Sequence, residues 1–281
     1  MDLTTLERLG FRPDDAAAVL DGLDRLTAAD LAEVERLEGL LRSNIGRVER
    51  RFNPVDGPSV EHRLGTDFPL LIALIRVAPG VQAELVRRGL DDETAWRSVA
   101  DLGQQVHVYR LVHGRFGFGG RPWVPTNFSG SLVWLGRLQY TLEPDDLALG
   151  VHIPESGPLP PELVDESLEL ARRIALPAYG EFEISRFTCV SWLLDPGVNA
   201  RLPETSNVAR FAARFEPYGE PGDGTRDALY FGFHRETRNG ETVELDDLPQ
   251  TSSLQRAIVA QLRDGGVTIQ PGELPLDGSR R

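Results

Sequence analysis

His152, Cys189 and Ser191 are the side chains in this sequence best suited to acid–base or nucleophilic chemistry. His152 ends an apolar run, and an imidazole titrates near neutral pH, so it can act as the general base that removes a proton from an attacking amine. Cys189 and Ser191 lie two residues apart in a later apolar run, and either is a candidate partner. The alternative for His152 is a structural imidazole that pairs with a backbone carbonyl beside Pro154.

Burial is the competing interpretation of Cys189. Its neighbours Phe187, Val190 and Trp192 are apolar, and apolar surroundings raise the pKa of a thiol and make it inert. We therefore expect Cys189 to line a site rather than to attack substrate. A hydrolase that pairs Cys189 with His152 is a further alternative, and it requires both side chains in one cleft.

A proline-rich turn, ESGPLPPE, follows His152 and leads into the helical pattern ELVDESLELA. Such a turn is either a connector or a cradle for a phosphate-bearing cofactor, because the free N–H groups at a helix N-terminus bind anions. Pro160 and Pro161 suit the first turn of a helix, but each lacks an N–H donor. Glu155 and Glu162 place negative charge where an anion would dock.

The elements that position these residues differ between the two parts of the chain. The first part is predicted to be helical, with helices in DDAAAVLDGLDRL (capped by Asp14), AADLAEVERLEGLLRSNIG, FPLLIALIRVAPGVQAELVRRG and DDETAWRSVADLGQQVHVYRLVHGRFG. The loop GFGGRPWVPTNFSG follows, and its aromatic segment is expected to cover an acceptor pocket. No internal repeat is visible.

The second part alternates strands and helices. Strands are predicted in SLVWLGRLQYTL, LALGVHIP, EISRFTCVSWLL (central and covered on both faces), RFEPYGE and DALYFGFHR, and a hairpin turn at Asn239-Gly240. Helices are predicted in ELVDESLELARRIALPAYG, NVARFAARF and SLQRAIVAQLRDGG. The fold class is therefore α/β (α+β), with a helical part from 1–130, a mixed α/β sheet part from 131–276 and a tail from 277–281.

A metal site is not predicted. His107, Tyr109, Arg110 and His113 share one helix, but Asp101 lies off the face of His107, so a third ligand is missing. We expect these polar residues to face the α/β part instead. The single cysteine excludes an intrachain disulfide and a four-cysteine zinc site.

The composition and charge of the chain exclude several classes of function. The chain has 281 residues and a net charge of −13, which disfavours binding to a nucleic-acid backbone. All 30 basic residues are arginine, so a lysine Schiff base and a P-loop lysine are excluded. The longest apolar run is interrupted by Arg76 and Pro79, and no signal-peptide pattern is visible, so we expect a cytoplasmic protein without a membrane partner.

Short elements of the second part resemble a known family. LGRLQY, HIP, SWLLDP, LPETSN and SSLQRA occur in order between Leu135 and Gly266. This set is similar to that of a bacterial acyltransferase family with an N-acyltransferase N-terminal domain and a GNAT-like C-terminal domain. The resemblance implies transfer of an acyl group from an acetyl-CoA, acyl-CoA or acyl-carrier-protein thioester to an amine or hydroxyl of a small-molecule acceptor, without a metal.

The resemblance also implies where the ligands lie. The turn after His152 becomes the cofactor loop, with Ile153, Glu155, Ser156 and Gly157 as predicted binding residues. The resemblance also implies a polar lip for substrate, between two splayed central strands, formed by Trp192, Glu204 and Asn207. A helix cap at Ser206 or Asn207 explains the stretch Glu204–Asn207 without any ligand and is the preferred interpretation. The usual glycine-rich phosphate signature is absent. A non-catalytic scaffold derived from such an enzyme, which binds a ligand or a protein, is therefore the alternative function.

Overall fold

The computed structural model describes residues 1–237, 241 and 243–277. Seven helices form the first part: α1 (Leu3–Arg8), α2 (Pro13–Leu23), α3 (Ala28–Asn44), α4 (Phe68–Arg87), α5 (Asp92–Val99), α6 (Asp101–His113) and α7 (Val124–Asn127). Thr27 caps α3 in a capping box with Asp30. Two predictions need correction. Arg12, not Asp14, is the N-cap of α2, because Pro13 occupies the first helical position, and the predicted helix after Asp91 is divided at Ala100.

Helix α4 is the apolar centre of the first part. By length and composition it is the one described helix that could cross a membrane, with a mean hydropathy of 1.5, and 61% of the apolar window is buried inside the protein. It packs against α3 and α5, and Phe68, Leu71 and Leu74 are fully buried there. This packing accounts for the apolar character of the helix.

The second part is a seven-stranded mixed sheet with helices. Its strands are β1 (Leu132–Leu135), β2 (Leu138–Glu143), β3 (Ala148–His152), β4 (Arg186–Ser191), β5 (Glu216–Pro217), β6 (Gly222–Asp223) and β7 (Thr268–Pro275), in the order β1-β2-β3-β4-β7-β5, with β6 paired to β7. Its helices are α8 (Pro161–Leu170), continued by a π-helical turn (Ala171–Ala175), α9 (Leu176–Ala178), α10 (Pro196–Ala200), α11 (Asn207–Ala212), α12 (Thr225–Phe233) and α13 (Ser253–Arg263). The predicted α/β fold is confirmed.

The two faces of the sheet differ in chemistry. One face carries Leu138, Tyr140 and Phe187, and α8 covers it: Ser167 accepts from the Leu138 N–H at 3.1 Å and lies 3.0 Å from the Tyr140 hydroxyl. The other face is polar across its centre. We call it the polar face, and its central residues are Gln139, Thr141, Glu143, Gly150, His152 and Thr188. The first part of the chain packs on it beside β1, where the Trp134 N–H donates to Ser98 Oγ at 2.9 Å.

Several strand predictions are wrong. SLVWLGRLQYTL forms two strands around a turn at Gly136 (φ 62°), RFEPYGE pairs over only two residues, and the predicted strand DALYFGFHR is helix α12, which packs on α13. No prediction was made for strand β7, whose Pro271 and Pro275 are unfavourable in a central strand. The Pro271 carbonyl accepts from the Tyr218 N–H, so the missing N–H of Pro271 points away from β4, and β5 and β6 together pair with only part of β7. The predicted hairpin at Asn239-Gly240 lies outside the described residues.

Strand β4 is central, as predicted, between β3 and β7. It is not covered on both faces along its whole length, because Val190 is 59% exposed on the polar face. The polar face is therefore open beside the end of β4.

Candidate active site

Strands β3 and β4 diverge at the centre of the sheet. They are parallel and pair at Ala148↔Arg186, Leu149↔Phe187 and Gly150↔Thr188. Beyond Gly150, β3 continues with β2 alone, where Gln139 faces His152, while β4 continues with β7, where Ser191 faces Gln270. The ends of the two strands consequently present backbone N–H and C=O groups to the gap between them, and such groups require a partner.

His152 lies at the open end of β3 on the polar face. Its Nε2 atom is 2.8 Å from Thr141 Oγ1, and its ring meets the Trp123 ring edge-on, with 4.6 Å between the centroids. The imidazole is enclosed by protein but keeps part of its surface accessible. Burial, with a smaller contribution from the Arg51 charge, lowers the pKa of His152 to about 3. The imidazole is therefore neutral near pH 7, the form that can accept a proton.

A carboxylate lies behind Thr141. Glu143 accepts from Thr141 Oγ1 at 3.2 Å and from Thr188 Oγ1 at 3.1 Å, and Arg51 of the first part approaches it to 3.6 Å. Gly150, directly opposite Thr141, leaves the space that this carboxylate occupies, since a Cβ there would lie 2.2 Å from Glu143 Oε1. This network is not predicted from the sequence, because strand pairing alone brings its members together.

The buried carboxylate of Asp101 binds the residues on the other side of His152. Asp101, at the start of α6, accepts from Gln139 Nε2 at 2.8 Å, from Trp123 Nε1 at 2.9 Å and from Gln105 Nε2 at 3.3 Å. Burial raises the pKa of Asp101. Asp101 thus fixes both the indole that packs on His152 and the glutamine that faces it across the strands.

Comparisons with known proteins agree with this arrangement. A model of the N-acyltransferase N-terminal domain matches residues 1–130, and a model of the GNAT-like C-terminal domain matches residues 132–273. The chain belongs to this acyltransferase family. The predicted resemblance and the prediction of an acyltransferase are confirmed. A search of the curated proteins found no match.

Solved acyltransferase structures resemble the whole chain. An acyltransferase in complex with decanoyl-CoA and teicoplanin is 31% identical, with a TM-score of 0.84, over 96% of this chain and 86% of that chain. Acyltransferase complexes with CoA and 10C-teicoplanin (31% identical, TM-score 0.84) and with decanoyl-CoA (28%, TM-score 0.83) match over the same shares. These ligands are those of the neighbouring proteins.

In this acyltransferase, Cys189 and Ser191 are separated from His152. Gly150 and Thr188 are register partners, so His152 projects on the polar face and Cys189 and Ser191 on the other. Cys189 is 1% exposed, and burial raises the pKa of its thiol well above the ordinary range. Ser191 Oγ accepts from the Leu193 N–H at 3.1 Å. The structure therefore does not form a Cys189–His152 pair, and the hydrolase alternative lacks its required geometry.

The predicted cofactor loop runs from the end of β3 to the start of α8. Ile153 packs against the core, the Ser156 N–H donates to the Pro154 carbonyl at 2.8 Å, and Gly157 has φ 109°. Arg137 stabilises the loop, because its guanidinium donates to the carbonyls of Pro154, Gly157 and Pro158 at 2.7 to 3.0 Å. Burial lowers the pKa of Arg137.

Glu155 contacts two other elements of the structure. Its Oε1 lies 2.5 Å from His234 Nε2, and its backbone carbonyl accepts from Gln104 Nε2 at 2.7 Å. Glu155 therefore links the loop to α6 and to His234, the residue that directly follows α12.

The remaining predicted site residues lie elsewhere. Trp192 is buried in a separate apolar cluster with Val198 and Ile258. Glu204 is exposed, and Asn207 begins α11 after Ser206, whose side chain makes no capping hydrogen bond. The structure does not place these three side chains beside His152.

Of the polar residues of α6 that were predicted to face the α/β part, Arg110 and Tyr109 contact the first part instead, whereas His113 Nδ1 lies 3.6 Å from Glu236 of the second part. Arg110 Nε donates to Asp15 at 2.6 Å, and the Tyr109 hydroxyl lies 2.7 Å from Thr66 Oγ1. Among the described residues, no group of three or more His, Cys, Asp or Glu side chains is arranged to hold a metal ion.

Proposed function

We propose that this acyltransferase moves an acyl group from an acyl-CoA thioester to an amine or hydroxyl of a small-molecule acceptor, with His152 as the general base. The observation that carries the proposal is the position of a neutral imidazole at the open end of two splayed parallel strands. The acyl-CoA ligands of the structural neighbours support this donor, and no neighbour described above supports a carrier-protein donor.

The donor would lie in the gap between β3 and β4. Backbone groups of 151–153 and 189–191 face this gap, and a backbone N–H there can polarise the thioester carbonyl. The phosphates would lie toward the loop 154–160 and the N-terminus of α8, where the partial positive charge of the helix favours an anion. Pro160 and Pro161 lack N–H groups that could bind a phosphate. Binding of the phosphates would therefore depend mainly on the loop whose carbonyls Arg137 holds in place.

The acceptor would approach from the polar face. On this side Trp123 packs on His152, Arg51 lies over the Trp123 ring, and Val190 is exposed on the same face of β4. The neighbouring complexes contain teicoplanin or 10C-teicoplanin, which supports a small molecule as acceptor.

The chemical step follows from this placement. The acceptor nitrogen or oxygen forms a bond to the thioester carbonyl carbon while His152 removes its proton. The carbon–sulfur bond then breaks, the electron pair leaves with the CoA thiolate, and the proton held by His152 passes to that thiolate or to water. Proximity of the two reactants supplies the main part of the rate enhancement.

Donor binding tests the first half of the proposal. Free CoA, acetyl-CoA, octanoyl-CoA and decanoyl-CoA are titrated by calorimetry, and the melting temperature is measured with each. A ligand at 100 times its Kd should stabilise the fold by about 2.7 kcal/mol. Binding that strengthens with chain length supports an acyl-CoA donor and identifies its length. Absence of binding by every species contradicts the proposed donor.

A further inference from the structure

A continuous hydrogen-bonded chain leads from His152 into the sheet. His152 Nε2 lies 2.8 Å from Thr141 Oγ1, and Thr141 Oγ1 lies 3.2 Å from Glu143 Oε1. Glu143 Oε2 accepts separately from Thr188 Oγ1. Thr141 and Thr188 are almost fully buried, so water does not compete with the hydrogen bonds of their hydroxyl groups.

The hydrogen atoms available to His152, Thr141 and Glu143 determine which atom donates in each of these hydrogen bonds. An ionised carboxylate only accepts, and a threonine hydroxyl has one hydrogen to donate. When that hydrogen of Thr141 points to Glu143, the oxygen of Thr141 accepts, and the donor to it must be the Nε2–H of His152. The proton of the neutral imidazole is then on Nε2, and the lone pair is on Nδ1.

We infer that Glu143 and Thr141 are positioning residues that hold His152 in the Nε2–H tautomer, so that Nδ1 is the atom that accepts the proton of the acceptor. Among the described residues, Nδ1 makes no hydrogen bond that would compete for its lone pair. This inference rests on the proposed function of His152, and it adds the identity of the basic nitrogen and the residues that select it.

Two further features are accounted for by this inference. Gly150 gives the carboxylate its place beside Thr141, since any Cβ there would collide with Glu143. Arg51 of the first part lies 3.6 Å from Glu143 and supports the ionised carboxylate, and Thr188 on β4 donates a second hydrogen bond to it.

The tautomer can be read directly by NMR. The full-length protein is labelled with ¹⁵N-histidine, and long-range ¹H–¹⁵N spectra at pH 7 distinguish the protonated from the unprotonated ring nitrogen of each neutral imidazole. The spectrum of His152→Gln assigns the signals of His152. A protonated Nε2 is expected, and a protonated Nδ1 would overturn the inference whatever the activity of the enzyme.

Kinetics of matched variants provide the second readout. Thr141→Val removes the hydroxyl, and Thr141→Ser keeps it. We expect Thr141→Val to lower kcat for acyl transfer at least about tenfold with little change in KM, because base catalysis alone contributes a factor of 10²–10⁴. We expect Thr141→Ser to restore most of kcat. Thr188→Val removes the other hydroxyl bound to Glu143 without a contact to His152, and it should lower kcat far less than Thr141→Val.

The outcomes separate the two ideas. Equal kcat for Thr141→Val and the wild type overturns the positioning role, as does an equal loss in Thr141→Val and Thr188→Val. Full activity of His152→Gln contradicts the proposed function instead, and the NMR result on the tautomer stands independently of it.

Discussion

Gly150 and Glu143 share one space on the polar face of the sheet. They lie on neighbouring strands, and a methyl group on Gly150 would be placed 2.2 Å from the Glu143 Oε1 atom. The absence of a side chain on β3 is therefore what allows a carboxylate to fold over the strand and reach Thr141, one hydrogen bond from His152.

Gly150→Ala is expected to displace the Glu143 carboxylate. We expect a loss of about 1–3 kcal/mol in the free energy of unfolding, typical of overpacking, together with a lower kcat. Gly39→Ala is the matched control, because Gly39 lies within α3 with no neighbour within 4 Å of its added Cβ. That substitution should stabilise the fold by roughly 0.5–1 kcal/mol. Urea denaturation of both variants checks the difference, and a neutral Gly150→Ala would contradict the shared space.

Asp101 and Trp123 should be energetically coupled. In Asp101→Asn an amide replaces a carboxylate that accepts three N–H groups, so at least one donor loses its acceptor, at a cost of about 1–3 kcal/mol. Trp123→Phe removes one of these donors. The double variant should therefore lose less stability than the sum of the single variants, by about 0.5 kcal/mol or more. If the losses measured by urea denaturation are additive, the hydrogen bond between Trp123 and Asp101 contributes nothing to stability.

Cys189 is expected to be unreactive and dispensable for transfer. The buried thiol should resist a thiol-specific reagent in the folded protein and react at once after unfolding in denaturant. Cys189→Ala should keep acyl transfer and lose only stability, about 1 kcal/mol, because it removes a small buried group. Rapid modification of the native protein, or loss of transfer in a folded Cys189→Ala variant, would restore a chemical role for the thiol.

His152 should make the fold sensitive to acid. Its pKa is lowered to about 3 in the folded protein and lies near 6.5 in the unfolded chain, so the native state binds fewer protons than the unfolded state between these values. Stability therefore rises with pH across this window, is complete above about pH 6.5 and is lost as the pH falls toward 3. The slope is at most about 1.4 kcal/mol per pH unit, and partial exposure of the ring reduces it.

His152→Gln isolates this contribution. All other titrating groups are common to both proteins, so the difference in unfolding free energy between wild type and variant should change between pH 6.5 and pH 4. A difference that is constant with pH would show that the imidazole titrates normally in the folded protein.

Arg137 should affect donor binding more than chemistry. Its guanidinium makes three hydrogen bonds to loop carbonyls, and alanine removes all three. We expect Arg137→Ala to raise the Kd for acyl-CoA, and the KM with it, while kcat changes little. Calorimetric titration measures the Kd, and unchanged affinity would separate the loop from the donor site.

Local patterns were sufficient to predict part of the site. The apolar run that ends at His152, the proline-rich turn and the helical pattern after it predicted β3, the loop and α8 in their observed order. The partners of His152 could not be predicted in the same way. Thr141 and Gln139 reach it through antiparallel pairing, and Asp101 and Trp123 come from the other part of the chain.

Helix α12 and strand β7 show why the rest of the fold was missed. The aromatic residues of DALYFGFHR favour a strand locally, but Ala228 and Leu229 are buried in the helix that forms. Pro271 and Pro275 disfavour a central strand, yet β7 tolerates them because its other side is only partly paired. In both places tertiary packing outweighs local preference.

The most direct test of the central claim is acyl transfer to a small surrogate acceptor. Decanoyl-CoA and hydroxylamine are incubated with the wild type or with His152→Gln, and the decanoyl hydroxamate is quantified by mass spectrometry, with calorimetry to confirm that both proteins bind the donor. The account predicts enzyme-dependent hydroxamate from the wild type and a rate about 100-fold lower for the variant at equal donor affinity. Equal rates for the two proteins, or no product from a wild type that binds the donor, would contradict it.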